Sequence, residues 1–128
     1  MGTGTRTPTR IENYMSSPVE TVEHDASLVE ASGLMHEAGI KAVVVRTDSL
    51  SILTSTDVVR IVSEGVDITE RSAAGAATEI NQTAGPDDYL QEAASAMLRH
   101  GISHLPVVDD GDLVGIITTT DITERQTG

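Results

Sequence analysis

Apolar and polar positions along this chain follow the two periods that distinguish helices from strands. Apolar residues recur at helical spacing over 28–38, where Ser27 and Glu30 form a capping-box signature and Gly39 ends the run. Similar patterns predict helices at 55–63, about 88–100 and 119–125. Runs of β-branched residues predict strands at 42–45, 50–53, 104–108 and 113–117, with shorter extended stretches at 19–22 and 79–83.

The second half of the chain repeats the first. Five residues return 62 positions later: Leu28, Ala31, Met35, Gly39 and Ile40 match Leu90, Ala93, Met97, Gly101 and Ile102. The offset then grows to 64, so that Thr54, Thr56 and Asp57 match Thr118, Thr120 and Asp121. Each half reads β-α-β-β-α, which predicts an α+β fold of two pseudo-symmetric units.

The boundaries of these units follow from composition. Residues 1–12 are polar, contain Gly and Pro and lack periodicity, so we expect a flexible N-terminal arm. The first repeat is assigned to 13–63 and the second to 79–126. Between them, 64–78 is small and polar and reads as a linker.

Composition excludes several classes of protein. The net charge of −12 repels phosphate backbones, so no nucleic-acid partner is expected. The chain lacks cysteine, an apolar run of membrane-spanning length and a charged leader followed by an apolar run, which predicts a cytoplasmic protein without a membrane anchor. Lys41 is the only lysine, and acidic residues with abundant threonine are typical of proteins that work in high salt.

The repeated T-x-T-D segment has two interpretations. A Thr at the N-cap with an Asp three residues later satisfies free amides at a helix start. The same geometry suits a small ligand, because helix amides and the Thr hydroxyl can take a phosphate while a carboxylate accepts a ribose diol. Its recurrence at matched positions of Thr54 to Asp57 and Thr118 to Asp121 favours a ligand site.

Catalytic and metal motifs are not supported. His100 and His104 are separated by the helix-ending Gly101, so they do not share a helical face as a zinc motif requires. The acidic run 109–112 lacks the glycine and the terminal glutamate of a calcium loop. We therefore expect neither an enzyme nor a metal site.

Two motifs resemble those of a known family. The second half contains Gly101-Ile102-Ser103-His104-Leu105-Pro106 and then Gly115-Ile116-Ile117-Thr118-Thr119-Thr120-Asp121. Over this spacing, the chain from about 13 to 125 resembles a pair of cystathionine-β-synthase (CBS) domains, the arrangement called a Bateman module. The resemblance implies two repeats packed sheet to sheet, with two clefts that hold AMP, ADP, ATP or S-adenosylmethionine as a regulatory ligand.

The resemblance also implies which residues bind this ligand. One cleft would use Ile52, Thr54 and Asp57 with Ile102, Ser103, His104 and Pro106. The other would use Ile116, Thr118 and Asp121 with Ile40, Lys41 and Ala42. Ile and Pro would enclose the adenine, Asp would hold the ribose, and Thr, His104 or Lys41 would meet phosphate.

The first repeat departs from the family pattern, so unequal clefts are expected. Val44 stands where the family has proline, Ser51 replaces its glycine, and the hairpin is two residues shorter than in the second repeat. Lys41 occupies a ligand-facing position of the family, although a surface lysine without function is the alternative. His104 is ambiguous in the same way.

These observations predict a stand-alone sensor module that binds an adenosine-containing ligand and regulates a protein that remains to be identified. A homodimer is expected, associated through 28–35, 90–97 and the C-terminal helix of each repeat. The alternative is a ligand-free dimerising adaptor in which the Thr and Asp residues act only as caps. A transcriptional regulator is a third possibility, which the acidic charge and the lack of a helix-turn-helix pattern disfavour.

The acidic composition generates one prediction. If repulsion among the carboxylates requires screening, the protein should lose folded structure on dialysis from molar salt to low salt. Circular dichroism before and after dialysis measures this loss. Full retention of the folded spectrum in low salt would contradict the adaptation to high salt.

Overall fold

The structure, a computed structural model, describes residues 9–127, and the chain forms two compact units. Residues 20–81 form the first-repeat unit, whereas 82–127 together with 9–19 form the second-repeat unit. Both are mixed α+β units, as predicted. Residues 1–8 of the predicted arm lie outside the described residues.

The first-repeat unit is built on a sheet of four strands. In chain order its elements are β1 Thr21–Glu23, α1 Leu28–Ala38, β2 Ala42–Arg46, β3 Leu50–Thr54, α2 Ser55–Ser63, a 3-10 helix Ile68–Glu70, α3 Ala73–Ala76 and β4 Thr78–Ile80. The strand order is β1-β2-β3-β4. β1 runs parallel to β2, and the other neighbours are antiparallel.

The second-repeat unit has the same plan with a smaller sheet. Its elements are a 3-10 helix Ile11–Asn13, α4 Leu90–His100, β5 His104–Asp109, β6 Asp112–Thr118 and α5 Thr119–Thr127. β5 and β6 form the predicted hairpin. Single bridges, Ala84 to Val107 and Ser16 to Ile116, take the places of β1 and β4. The predicted helices and hairpin strands are confirmed, with α4 starting two residues later than expected and α5 ending two residues later.

Each unit has an aliphatic core on the helical side of its strands. In the first-repeat unit the buried members include Leu28, Ala31, Met35, Val43, Val45, Leu53 and Ile61. In the second-repeat unit they are Ile11, Leu90, Ala93, Met97, Leu105, Val107 and Ile117. The apolar periodicity of α1 and α4 therefore marked the residues that face these cores.

The segment 64–78, expected as a linker, is folded against the first-repeat core. Ala73 is fully buried, and its N–H donates to the Ala26 carbonyl at 2.9 Å. The Leu28 N–H donates to the Arg71 carbonyl at 2.9 Å, which satisfies an amide at the start of α1. Small residues allow this close approach, so the composition that suggested a linker instead belongs to a tightly packed segment.

The predicted flexible arm is also corrected, from Thr9 onward. Ile11 is fully buried in the second-repeat core, and its N–H donates to the Asp88 carbonyl at 2.8 Å. The Leu90 N–H donates to the Thr9 carbonyl at 2.8 Å. At an offset of 62, these two bonds match the bonds by which Arg71 and Ala73 are held to the first-repeat unit. The repeat therefore begins before residue 13.

The proline that distinguishes the two repeats explains why their sheets differ. In the first-repeat unit, the Val44 N–H donates to the Glu20 carbonyl at 3.0 Å, and β1 pairs with β2 over three residues. Pro106 occupies the matched position of β5 and has no N–H to donate. The parallel pairing there is reduced to the bridge between Ala84 and Val107.

The other departure, Ser51 in place of glycine, also has a packing reason. A Cβ at the matched Gly115 would lie 2.9 Å from Cγ of Met15 and 3.1 Å from the Ser16 carbonyl. In the first repeat the residue matched to Met15 is the smaller Ala77. The large Met15 is thus accompanied by Gly115 in the second repeat, and the smaller Ala77 is accompanied by the larger Ser51 in the first.

This pairing predicts that Gly115→Ser destabilises the protein by roughly 1–3 kcal/mol because the new side chain meets Met15. Combining it with Met15→Ala should cost less than the sum of the two single changes. Chemical denaturation of the four proteins gives the coupling. Gly33→Ser is the control, since a Cβ at Gly33 meets nothing within 4 Å. Strict additivity of the two changes would contradict the steric explanation.

Candidate functional site

The candidate site of the first-repeat unit lies where β3 ends and α2 begins. Thr54 is the N-cap of α2, and its Oγ1 accepts from the Asp57 N–H at 3.1 Å. Asp57 Oδ2 accepts in return from the Thr54 N–H at 2.9 Å. The two residues therefore form a complete capping box, so the structural interpretation of this motif is confirmed here.

The second-repeat unit contains the same device between β6 and α5. The Thr118 N–H donates to Asp121 Oδ2 at 2.9 Å, and the Asp121 N–H donates to Thr118 Oγ1 at 3.2 Å. The Thr118 hydroxyl also donates to Asp121 Oδ2 at 3.0 Å. Both T-x-T-D segments thus place a half-buried carboxylate at the N-terminus of a nine-residue helix.

The second carboxylate oxygen distinguishes the two sites. Asp57 Oδ1 lies 3.4 Å from one terminal nitrogen of the Arg60 guanidinium. The other terminal nitrogen of Arg60 lies 4.0 Å from Glu64 Oε2. Within the described part of the chain, the hydrogen bonds of the Asp121 side chain use Oδ2 alone. The residue that corresponds to Arg60 on α5 is Glu124. The two sites are therefore matched in backbone geometry and different in charge.

Each glycine-led strand start is brought to the helix N-terminus of its own unit. Gly39 and Gly101 end α1 and α4 in the left-handed conformation, with φ of 66° and 64°. The chain then turns so that the Lys41 carbonyl accepts from the Ser55 N–H at 2.9 Å. In the second-repeat unit the Ser103 carbonyl accepts from the Thr119 N–H at 3.1 Å.

The predicted site residues consequently form one group in each unit. Ile40, Lys41 and Ala42 lie beside the end of β3, where Ala42 pairs with Thr54. Ile102, Ser103, His104 and Pro106 lie beside the end of β6, where His104 pairs with Thr118 and Pro106 with Ile116. The exchange of motifs between repeats that the family resemblance implies stays a prediction.

Access to these residues is uneven. Lys41 and Ser103 are exposed, and Thr54, Asp57, Thr118 and Asp121 are partly exposed. Ile52 and Pro106, the expected adenine contacts, are buried in this conformation. Ser103 Oγ lies 3.0 Å from His104 Nδ1, which keeps this imidazole at the strand start. The polar part of each predicted site is thus reachable from solvent, and among the apolar residues Ile40, Ile102 and Ile116 are partly exposed.

A groove between α1 and α2 was not predicted as a site. Its volume is about 290 Å³, and it is lined by Ser32, Met35, His36, Ile40, Ser55, Val58 and Val59. Val59 is 66% exposed and Val62, one turn later, is 55% exposed. The sequence signal for this surface is the presence of Val59 and Val62 in addition to Val58 and Ile61, the residues of α2 that pack on the core. The expected association face at 28–35 overlaps it.

Comparison with known proteins identifies the family. The CBS domain profile matches residues 11–64 and 78–128, so the chain belongs to the CBS domain family. A CBS domain-containing protein of Bacillus subtilis is 30% identical over 119 residues, covering 91% of this chain and 84% of that protein. An uncharacterized protein of Methanopyrus kandleri is 36% identical over 111 residues, and the match covers 83% of this chain but only 54% of the relative.

A solved structure extends this relationship to the whole fold. A CBS domain pair crystallised with 5′-methylthioadenosine and S-adenosyl-L-methionine superposes with a TM-score of 0.82 at 26% identity. The match covers 95% of this chain and 98% of that one. The predicted tandem CBS fold is therefore confirmed. No helix in the stretch from residue 9 to residue 127 has the length and hydrophobicity needed to cross a membrane.

The capping boxes predict that Thr54→Val and Thr118→Val each lower the free energy of unfolding by about 0.5–2 kcal/mol, because each loses an N-cap acceptor. Thr56→Val and Thr120→Val are matched controls on the exposed first turn of the same helices. Chemical denaturation measures all four variants. Equal losses in the caps and their controls would show that the hydroxyls of Thr54 and Thr118 contribute nothing specific.

Proposed function

We propose that this chain is a non-enzymatic regulatory module that binds an adenosine-containing ligand, either an adenine nucleotide or S-adenosylmethionine. The observation that carries the proposal is the convergence, in both units, of a glycine-led strand start with a capped helix N-terminus. The residues proposed to contact the ligand are the predicted ones: Ile40, Lys41, Ala42, Ile52, Thr54, Asp57, Ile102, Ser103, His104, Pro106, Ile116, Thr118 and Asp121. No catalytic group is assigned to this module.

The backbone at each helix start supplies hydrogen-bond donors for such a ligand. In the first turn of α2, the N–H groups of Ser55 and Asp57 are bonded to Lys41 and Thr54. The Thr56 N–H lies between them and has no intrahelical acceptor, because the first amides of a helix lack one. Thr120 holds the same place in α5. These amides and the positive end of the helix dipole suit a phosphate or ribose oxygen.

The capping carboxylates supply the complementary acceptors. A carboxylate has about four lone-pair sites, and the capping box of Asp121 engages Oδ2. Because the capping bonds use Oδ2, the lone pairs of Oδ1 can accept hydrogen bonds of the kind that a ribose diol donates. The cap and the ligand contact are therefore compatible on one side chain, and the confirmed cap does not count against the proposal.

The solved relative supports the ligand class. Its two ligands, 5′-methylthioadenosine and S-adenosyl-L-methionine, share the adenosine group and differ in what the ribose carries. The net charge of −12 repels highly phosphorylated ligands most, which places uncharged and cationic adenosine derivatives among the better candidates.

We further propose that the module acts as a homodimer in the cytoplasm and that ligand binding alters its contact with a regulated protein. A second copy packed on α1 and α2 would cover the exposed Val59 and Val62 and the groove beside them. Ser55 and Ile40 belong both to that groove and to the strand start and helix start where we place the ligand. Ligand binding would therefore change the position of residues that line the association surface.

The competing function is a dimerising adaptor that binds no ligand. The capping boxes favour it, since they give Thr54, Asp57, Thr118 and Asp121 a sufficient structural reason to be present. An adaptor would use the same helical surface for association. The two functions differ only in whether a small molecule stabilises the folded protein.

The test is a thermal-shift panel in high salt with AMP, ADP, ATP, 5′-methylthioadenosine and S-adenosylmethionine. A ligand at one hundred times its dissociation constant should stabilise the protein by roughly 2.7 kcal/mol. Asp57→Asn and Asp121→Asn should reduce this shift, because asparagine keeps a capping oxygen but cannot accept both hydroxyls of a ribose. Native mass spectrometry of the same samples gives the number of ligands and of chains.

Asp109→Asn, an exposed acidic change in the β5–β6 hairpin, is the matched control and should leave the shift unchanged. The absence of a shift with all five compounds would favour the adaptor. So would shifts of equal size in the wild-type protein and in both capping-carboxylate variants.

A further inference from the structure

We infer that the two T-x-T-D sites prefer ligands of different charge, and that Arg60, present beside one site and not the other, sets this preference. The inference rests on the proposed adenosine-binding function and names the ligand class at each site. The Asp57 site would take a phosphorylated adenosine, and the Asp121 site an adenosine whose ribose substituent is uncharged or cationic.

The first step is the position of Arg60 on its helix. Asp57 and Arg60 are three residues apart on α2, and the guanidinium lies 3.4 Å from Asp57 Oδ1. The Asp57 side chain is only 18% exposed, whereas the Arg60 side chain is 53% exposed. Part of the guanidinium therefore stays available to solvent while it neutralises the carboxylate. Its planar fork of donors suits a phosphate group.

The second step is the contrast with α5. At an offset of 64, the position of Arg60 is taken by Glu124, which is also three residues after the capping carboxylate. The Asp121 site thus lacks the guanidinium that Arg60 places beside Asp57, where residues three apart are neighbours on one helical face. Backbone geometry at the two sites is the same, so the charge of this one position is the difference that a ligand would meet.

The third step concerns Glu64, which also approaches Arg60. The distance from Glu64 to the guanidinium is 4.0 Å, and both side chains are more than half exposed. Such an exposed pair is weak and screened by salt. Glu64 therefore leaves most of the charge of Arg60 available for an anion, and a bound phosphate would displace it at little cost.

The magnitude of the preference follows from the exposure of the site. A charge reversal changes the interaction with a phosphate by two unit charges at a separation of several ångström, in a medium between protein and water. We expect a change of about tenfold in relative affinity at moderate salt.

The experiment compares AMP with 5′-methylthioadenosine by calorimetric titration at about 0.15 M salt, where screening remains moderate. Asp121→Asn isolates the Asp57 site, and Asp57→Asn isolates the Asp121 site. In the first background, Arg60→Glu should lower the affinity for AMP relative to 5′-methylthioadenosine about tenfold. In the second, Glu124→Arg should raise the same ratio by a similar factor.

Arg46→Glu is the matched control, since it makes the same change in net charge at an exposed position of β2. It should leave the ratio unchanged. Arg60→Gln, which removes the charge and keeps a good helix former, should give about half of the effect on a logarithmic scale and serves if Arg60→Glu does not fold.

Three results would overturn the inference. They are an unchanged ratio in both Arg60→Glu and Arg60→Gln, an equal change in Arg46→Glu, and a wild-type protein whose two sites have the same preference. In each of these three results the ligands still bind, so the proposed function would not be contradicted. Failure of the wild-type protein to bind either compound would instead overturn the proposed function and this assignment together.

Discussion

One constraint underlies the way each unit is completed: the first amides of α1 and α4 need hydrogen-bond acceptors from outside their helices. Leu28 obtains its acceptor from Arg71 and Leu90 from Thr9. In both cases the accepting carbonyl belongs to a segment that precedes the first extended stretch of the other repeat in the chain. The first-repeat unit is thereby completed by residues that follow it, and the second-repeat unit by residues that precede the first. A fragment cut at the end of either repeat would lack this completion.

This arrangement explains why the two repeats differ where they do. Met15 and Ala77 belong to the completing segments, and Gly115 and Ser51 are the strand residues at matched places. The contact of Met15 with Gly115 shows that the size of one constrains the other. Val44 and Pro106 differ because one donates a bond to a parallel neighbour and the other has no N–H. These departures from the family pattern reflect packing and hydrogen bonding inside each unit, so they are not in themselves evidence about ligands.

Helices, hairpins and capping boxes were predictable because each is encoded by residues close together in sequence. Ser27 with Glu30 and Thr54 with Asp57 act over three positions, and the αL glycines Gly39 and Gly101 act over one turn. The folded state of Ile11 and Ala73 was missed because it depends on partners at 88 and 26. Their segments are short, and small or polar, so they lack a periodic pattern. Only the extension of the 62-residue offset to these positions could have indicated their role.

The capping residues of the candidate site were predictable, but the charge beside them was not. The T-x-T-D repeat identified Thr54, Asp57, Thr118 and Asp121, because their spacing fixes the cap. Arg60 and Glu124 attracted no notice, since single charges on a helix surface are ordinary. The difference between Arg60 and Glu124 matters for the site because Arg60 approaches Asp57 Oδ1. In a duplicated module, the backbone geometry of the two helix starts stays the same as long as the fold requires both capping boxes. Divergence of ligand preference is then free to occur at the neighbouring exposed positions, where a change of charge costs little stability.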